Sequence, residues 1–353
     1  MNSELNKLRK FWRGKKVFIT GHTGFKGCWL SIFLNLLDAK LYGYALKPEK
    51  KSLFKKILCK KIFQDETYAD INNLKLLKKK ILKSKAEIVF HLAAQPLVIN
   101  SYQAPIKTFK TNIFGTLNLL EVLRISKNIK SVVIITTDKV YKIKDKNILF
   151  NENHELGGID PYSASKVCAE VVAESYFKSF LIEKNRINMS IARSGNVLGG
   201  GDHSKNRIIP DIINAIKYKK KLIIRNKKSV RPWQHVIEPL KGYILLAQKQ
   251  FDNEIKITNN KWNFGPTKKN FITVEEIIYK IGRHYKINKI KFSKSKFKET
   301  KQLKLNSKKA KKYLNWESIL KIDDIIKYIL EFEFSKNKDL EKIMKKQIIK
   351  YLN

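Results

Sequence analysis

Lys16-Val17-Phe18-Ile19-Thr20-Gly21-His22-Thr23-Gly24-Phe25-Lys26-Gly27 decides the fold. A short β-branched and aromatic run feeds three glycines at GxxGxxG spacing, and the apolar stretch Phe25–Leu37 follows them as a helix. Gly21 permits the tight turn, Gly24 lets the backbone approach a pyrophosphate, and Gly27 allows the helix to pack closely. The helix N-terminus then attracts the phosphates. A turn-and-pack glycine triplet would look the same in isolation. What favours a dinucleotide site is its place after the first strand of an alternating chain.

That alternation continues outward. Further strands are expected at Lys40–Ala45, Glu87–Leu92, Ser131–Thr136 and Asn188–Arg193, with helices near Asn73–Lys83, Ile106–Ser126 and Tyr162–Glu183. The pattern predicts an α/β fold, a Rossmann-like doubly wound parallel sheet. After Arg193 come Gly195, Gly199, Gly200 and Gly201 and then short mixed elements. The expected division is a dinucleotide-binding domain over 1–193 rejoined by 237–264, a smaller C-terminal substrate lobe over 194–236 and 265–330, and a basic helical tail over 331–353.

Two more segments fit the same cleft. Asp70-Ile71 follows a probable third strand, where a carboxylate can meet an adenine amino group. His91-Leu92-Ala93-Ala94-Gln95 ends a strand in small residues, against which a ribose or nicotinamide can lie; a buried strand end would use the same alanines. The second strand ends in Gly43-Tyr44-Ala45-Leu46-Lys47 without a carboxylate, so this position does not separate NAD from NADP.

Composition narrows the classes. The 353 residues include 73 Lys and Arg against 31 Asp and Glu, a formal net charge of +42. Nucleic-acid binding is the first partner such a balance suggests. Only nine of the cations are Arg, however, and the lysines run from Lys7 to Lys350 without clustering, which reads more simply as a solvated surface. A hydrophobic content of 43% excludes a disordered chain. No apolar run reaches the roughly 18 residues of a membrane span, and the charged N-terminus lacks a secretory signal. Cys28, Cys59 and Cys168 form neither a disulfide framework nor a zinc spacing. A cytoplasmic protein is expected, with no metal.

The chemistry-bearing pattern is Tyr162-Ser163-Ala164-Ser165-Lys166, a phenol and an ammonium one helical turn apart. An ammonium beside the phenol would bring it down from about 10 towards service as a base. Spacing alone proves little, since about 2.5 YxxxK matches are expected by chance in so lysine-rich a chain, and a second begins at Tyr285. Context separates them, because Tyr162 follows Pro161 at a helix start, beyond a strand ending in Thr136-Thr137-Asp138-Lys139. Ligands of doubly wound folds bind at such strand ends.

In these motifs the chain resembles the extended short-chain dehydrogenase/reductases of the nucleotide-sugar 4,6-dehydratase group, most closely the branch acting on CDP-glucose. The resemblance runs from the glycine loop through His91–Val98, Thr111-Asn112, Thr137-Asp138-Lys139, Leu156–Lys166, Arg193–Val197 and Gly199–Asp202 to Arg231-Pro232-Trp233-Gln234-His235-Val236. It implies NAD as cofactor, a CDP-glucose substrate and a homodimer formed through the helices near Ile106–Ser126 and Tyr162–Glu183. Cofactor contacts would come from Gly21, Thr23, Gly24, Phe25, Lys26 and Gly27, and from Asp70, Ile71, Leu92, Ala93, Ala94 and Thr111, with Tyr162 and Lys166.

The group's reaction is redox-neutral: C4 oxidation, loss of water across C5 and C6, and hydride return to C6. Carried over, Tyr162 takes the 4-hydroxyl proton with Lys166 tuning it, and Thr137 holds the C4 oxygen. Asp138 protonates the departing 6-hydroxyl, and Lys139 takes the C5 proton or stabilises the enolate. Asn196, Arg207 and Arg231 would hold the diphosphate. Arg193, Arg207 and Arg231 all fall in the expected substrate loops, and bidentate phosphate recognition suits Arg better than Lys. Departures are Cys28 where the group more often has Ser, Val140 for a frequent Cys, and Asn306 for a common Asp. The alternatives are a 4-epimerase, a dehydratase of another nucleotide hexose and, from another class, a lysine-rich nucleic-acid binder.

Overall fold

A computed structural model describes residues 3–57, 62–143, 148–182, 187–204, 207–224, 226–255, 260–293, 303–336 and 339–353. Seven strands form the central sheet: β1 (Lys16–Thr20), β2 (Lys40–Ala45), β3 (Phe63–Tyr68), β4 (Ile88–His91), β5 (Ser131–Ile135), β6 (Asn188–Ser194) and β7 (Lys261–Phe264). Their spatial order is β3-β2-β1-β4-β5-β6-β7, and every neighbouring pair is parallel. The chain crosses over after β3 to lay β4 against β1. That crossing makes a topological switch point and opens a crevice at the C-terminal ends of β1 and β4.

Side-chain alternation explains the two covered faces. Val17, Ile19, Ile88, Phe90 and Val133 join one core with the helices Phe25–Leu36, Ile237–Phe251 and Leu340–Leu352, while Phe18, Val89, Val132 and Ile134 join the opposite core with Leu74–Ser84, Gly115–Ile125 and Pro161–Tyr176. In the segment read as a basic helical tail, Leu340–Leu352 buries Met344, Ile348, Tyr351 and Leu352 in the first of these cores.

Two of the long expected helices are interrupted. Lys110–Phe114 and Phe177–Leu181 are wider turns with i to i+5 hydrogen bonding, so Pro105–Ile125 and Pro161–Leu181 each carry one π-turn. Glu183, the expected end of the second, lies outside the described residues. The C-terminal lobe has its own core of Ile212, Ile213, Leu222, Trp233, Ile277, Ile281 and Ile325. It is assembled from the helices Ile208–Lys217, Val274–Gly282 and Ile322–Phe334 with short strand pairs.

Candidate active site

The glycine loop forms a cradle that a side chain would fill. Gly21 has a positive φ of +75°, and a Cβ there would lie 2.6 Å from the Ala93 nitrogen, so the β1 turn sits directly against the end of β4. A Cβ on Gly27 would come within 2.3 Å of the Gly21 carbonyl oxygen. Gly24 supplies no side-chain cap to the helix Phe25–Leu36 and no acid stands in its first turn, leaving the leading N–H groups open to an anion. These features fit a dinucleotide pyrophosphate.

Around the cradle, Thr23 donates to the Leu46 carbonyl at 3.0 Å, and Leu92, Ala93 and Ala94 are half-buried along its wall. Asp70 and Thr111, far apart in sequence, line one hollow of about 780 Å³ with Asn72, Lys107 and Lys110. Asp70 is exposed and accepts from the backbone and side chain of Asn72. Ile71 turns inward: it is buried in the core, where a Cβ on Gly115 would sit 2.5 Å from its Cγ2.

Lys26 reaches away from the glycine loop. Its ammonium donates to Ser194 Oγ at 2.6 Å at the end of β6, and Tyr243 donates to the same oxygen at 2.9 Å. Burial lowers Lys26 to about 7, and Arg207, Lys166 and Lys139 push the same way against the opposing charge of Asp138. The glycine loop therefore sends an amine to the end of β6.

The catalytic candidates converge at the end of β5. Thr137 caps the turn Asp138–Val140, accepting from the Lys139 N–H at 3.3 Å and donating to Asp138 Oδ1 at 3.1 Å. Lys139 Nζ stands 3.4 Å from Asp138 Oδ1 and 3.5 Å from Asn196 Oδ1, which brings a predicted substrate residue to the turn. Asp138 is buried, and the missing side chain of Gly195 leaves room beside its Oδ2. Tyr162 enters from the helix Pro161–Tyr176, whose start is fixed by Pro161 and by Asp160 accepting from the Ser163 N–H and hydroxyl.

The electrostatics depart from expectation at Tyr162. Burial pushes the phenol up to about 12, opposed by the nearby Thr137 hydroxyl, rather than down. Lys166 donates to the Ile135 carbonyl at 3.2 Å, and burial lowers it to about 8 while Glu170 raises it. In the chain by itself, desolvation of the phenol, with the charges of Asp138 and Asp160, outweighs the opposing Thr137 and Arg207.

Arg193 is a correction. Grouped with the phosphate-binding arginines on sequence, it is fully buried, with Nη2 2.5 Å from Glu170 Oε2 and Nε 3.0 Å from Oε1. Its guanidinium serves the core. Arg207, by contrast, is partly exposed and pairs with Asp202 at 3.0 Å, while Arg231 sits half-buried on the strand Val230–Pro232. Sequence reasoning missed Glu170 as well. It lies four residues after Lys166 on the same helix face, a spacing that could have flagged it.

Residues 18–329 match the GDP-mannose 4,6 dehydratase family. A CDP-glucose 4,6-dehydratase of Salmonella typhimurium is 46% identical over 278 residues, 77% of each chain. A dTDP-D-glucose 4,6-dehydratase of Dictyostelium discoideum is 30% identical over 253 residues, 67% of this chain and 56% of its own. Among solved structures, the dTDP-glucose 4,6-dehydratase of Bacillus anthracis in complex with NAD superposes with a TM-score of 0.76 at 21% identity, covering 94% of this chain and 100% of that one. An epimerase from Methanothermobacter thermautotrophicus reaches 0.82 at 20% identity, covering 96% and 98%. The family match spans the glycine cradle, the Thr137–Lys139 turn and the loops that carry Asn196, Arg207 and Arg231, and the chain belongs to the GDP-mannose 4,6 dehydratase family.

Proposed function

We propose that the chain is an NAD-dependent nucleotide-sugar 4,6-dehydratase, a hydro-lyase that converts CDP-glucose to CDP-4-keto-6-deoxy-glucose. The observation that carries this reading is the Asp138–Lys139 pair on the same buried turn as Thr137, whose hydroxyl acts on the buried Tyr162 phenol. Oxidation at C4 needs only a base and a cofactor, whereas loss of water across C5 and C6 also needs an acid and a group to manage the C5 proton. The 46% identity to a CDP-glucose 4,6-dehydratase supports the choice of nucleotide, and a structural neighbour solved with NAD supports the cofactor.

The glycine cradle of Gly21, Gly24 and Gly27 would hold NAD, which would supply hydride exchange with the sugar. Thr137 and Tyr162 hold the C4 oxygen, and Tyr162 takes its proton. Because burial alone raises this phenol, the reading requires positive charge beside it when substrate is bound, from Lys166 and the oxidised cofactor. The 4-ketone acidifies C5; Lys139 as a neutral amine takes the C5 proton, or as an ammonium stabilises the enolate that its loss leaves, and Asp138 in its protonated form gives its proton to the 6-hydroxyl, which leaves as water. Asn196, Arg207 and Arg231 clamp the diphosphate.

The same reading takes the lysine excess as surface charge rather than a nucleic-acid site. It also takes two copies to pair through the helical segments 105–125 and 161–181, where Ile106, Phe114, Val171 and Phe180 are exposed. Among the described residues no helix is long and apolar enough to cross a membrane; cytoplasmic location goes with the free thiols of Cys28 and Cys168. Incubation with CDP-, dTDP-, UDP- and GDP-hexoses tests the function. A 4-keto product from CDP-glucose without net NADH is expected; inversion at C4 with the 6-hydroxyl kept would make the protein an epimerase, and no product from any of the four would end the dehydratase reading.

A further inference from the structure

The turn that carries Asp138 and Lys139 is tied down at both ends by one buried network that the reaction scheme does not use. Before the turn, Thr136 Oγ1 donates to Glu170 Oε1 at 2.6 Å. Glu170 is gripped by Arg193, whose Nε lies 3.0 and 3.1 Å from its two oxygens. Arg193 then donates from Nη1 to the Tyr141 hydroxyl at 2.7 Å, and its guanidinium lies 4.8 Å over the same ring.

Tyr141 follows the turn directly, and its N–H donates to the Asp138 carbonyl at 3.4 Å. Its hydroxyl donates in turn to Asn263 Oδ1 at 2.8 Å on β7. The network thus runs from the helix Pro161–Tyr176 through β6 to β7, with the catalytic turn between its two arms.

Stability alone is a poor reason for such an arrangement. Arg193, Glu170 and Asn263 are wholly buried, and a buried ion pair often stabilises a protein no better than apolar residues of the same volume. What directional hydrogen bonds add is fixed geometry. A reacting acid must be held within about 0.5 Å of its working position by partners whose own rotamers are locked.

We propose that Tyr141, clamped between Arg193 and Asn263, is a positioning residue for the elimination half of the reaction, setting the orientation of the Asp138–Lys139 turn. The proposal rests on the dehydratase reading. Tyr141 bonds the turn at the Asp138 carbonyl, one residue beyond Thr137, while Lys166 keeps its own anchor on the Ile135 carbonyl, so the Tyr141 hydroxyl acts first on the elimination groups. Loss of the hydroxyl lets the Asp138–Lys139 end of the turn drift while C4 oxidation continues. Elimination then becomes slower than oxidation, and the 4-ketone intermediate waits on the enzyme beside reduced cofactor.

The test is Tyr141→Phe, which removes one oxygen and keeps the ring, assayed as NAD-loaded enzyme with CDP-glucose beside the wild type. Turnover and bound NADH absorbance are followed together. The expected result is a kcat lower by roughly 10- to 100-fold, in line with the cost of a misplaced catalytic group, with KM little changed and NADH building up in the steady state. Turnover at the wild-type rate would overturn the proposal. So would a fall in kcat without NADH accumulation, which is what a merely structural role produces. If Tyr141→Phe does not fold, Asn263→Ala, which withdraws the acceptor from the same hydroxyl, is read by the same criteria. A wild type that does not dehydrate CDP-glucose would instead refute the functional reading beneath the proposal.

Discussion

Replacing Lys26 by Met should stabilise the protein when it carries no ligand, and the gain should depend on pH. Lys26 is held near the positive charges of Arg207, Lys166 and Lys139, with Asp138 the opposing charge, and burial with this repulsion takes it from an ordinary 10.5 to about 7. At about 1.4 kcal/mol per pH unit the displacement amounts to roughly 5 kcal/mol against the folded state. Lost hydrogen bonding to Ser194 returns about 1 kcal/mol, and the partial exposure of Lys26 trims the remainder to a net gain of about 2–3 kcal/mol.

The pH dependence has a definite sign. Below pH 7 the lysine is protonated in both states, so the wild type bears the full penalty and Lys26→Met gains most. Between about 7 and 10.5 the unfolded chain binds a proton that the folded chain does not, and wild-type stability rises with pH. The advantage of Met should shrink across that window. Urea denaturation of ligand-free protein at pH 6 and pH 9.5 measures it. A variant less stable than wild type at pH 6, or a difference that does not change with pH, would refute the reasoning. The same variant should bind the anionic cofactor and nucleotide sugar more weakly, the usual exchange of stability against function.

Three further outcomes are expected. Gly21→Ala places a methyl 2.6 Å from the Ala93 nitrogen at a positive φ; NAD affinity measured by calorimetry should fall steeply, and an unchanged affinity would remove the loop from the cofactor site. Tyr162→Phe should abolish hydride abstraction in single-turnover assays while leaving cofactor binding largely intact. Arg193→Met strands a buried Glu170 and should cost about 3–5 kcal/mol in thermal or urea unfolding; unchanged stability with a raised KM for the nucleotide sugar would return Arg193 to the phosphate site.

Much of this architecture was legible in the residues, and what was not has physical causes. The five sheet strands bounded from sequence, β1, β2, β4, β5 and β6, fall within about one residue of the observed ends, because strands buried on both faces are continuously apolar. β7, Lys-Trp-Asn-Phe, is a short edge strand with polar residues, and gives little such signal. The π-turns at Lys110–Phe114 and Phe177–Leu181 insert one residue into an otherwise helical period, which a 3.6-residue pattern does not reveal.

The site divides along the same line. The glycine loop and the Tyr162–Lys166 spacing are local patterns, and their placement follows from the strand before each. Arg193 was misread because an arginine for phosphate and one for a core carboxylate are the same letter; its partner lies 23 residues away. Tyr162 showed the opposite failing. The helical spacing to Lys166 is visible in sequence, but the burial that dominates its ionisation exists only after folding.

The central claim is that one active site oxidises C4, eliminates water and returns the same hydride to C6. CDP-glucose deuterated at C4 tests it most directly, with the product analysed by NMR and mass spectrometry. The account predicts CDP-4-keto-6-deoxy-glucose that carries the deuterium at C6, with a solvent-derived proton at C5. Deuterium retained at C4 of a sugar that still bears its 6-hydroxyl would contradict it.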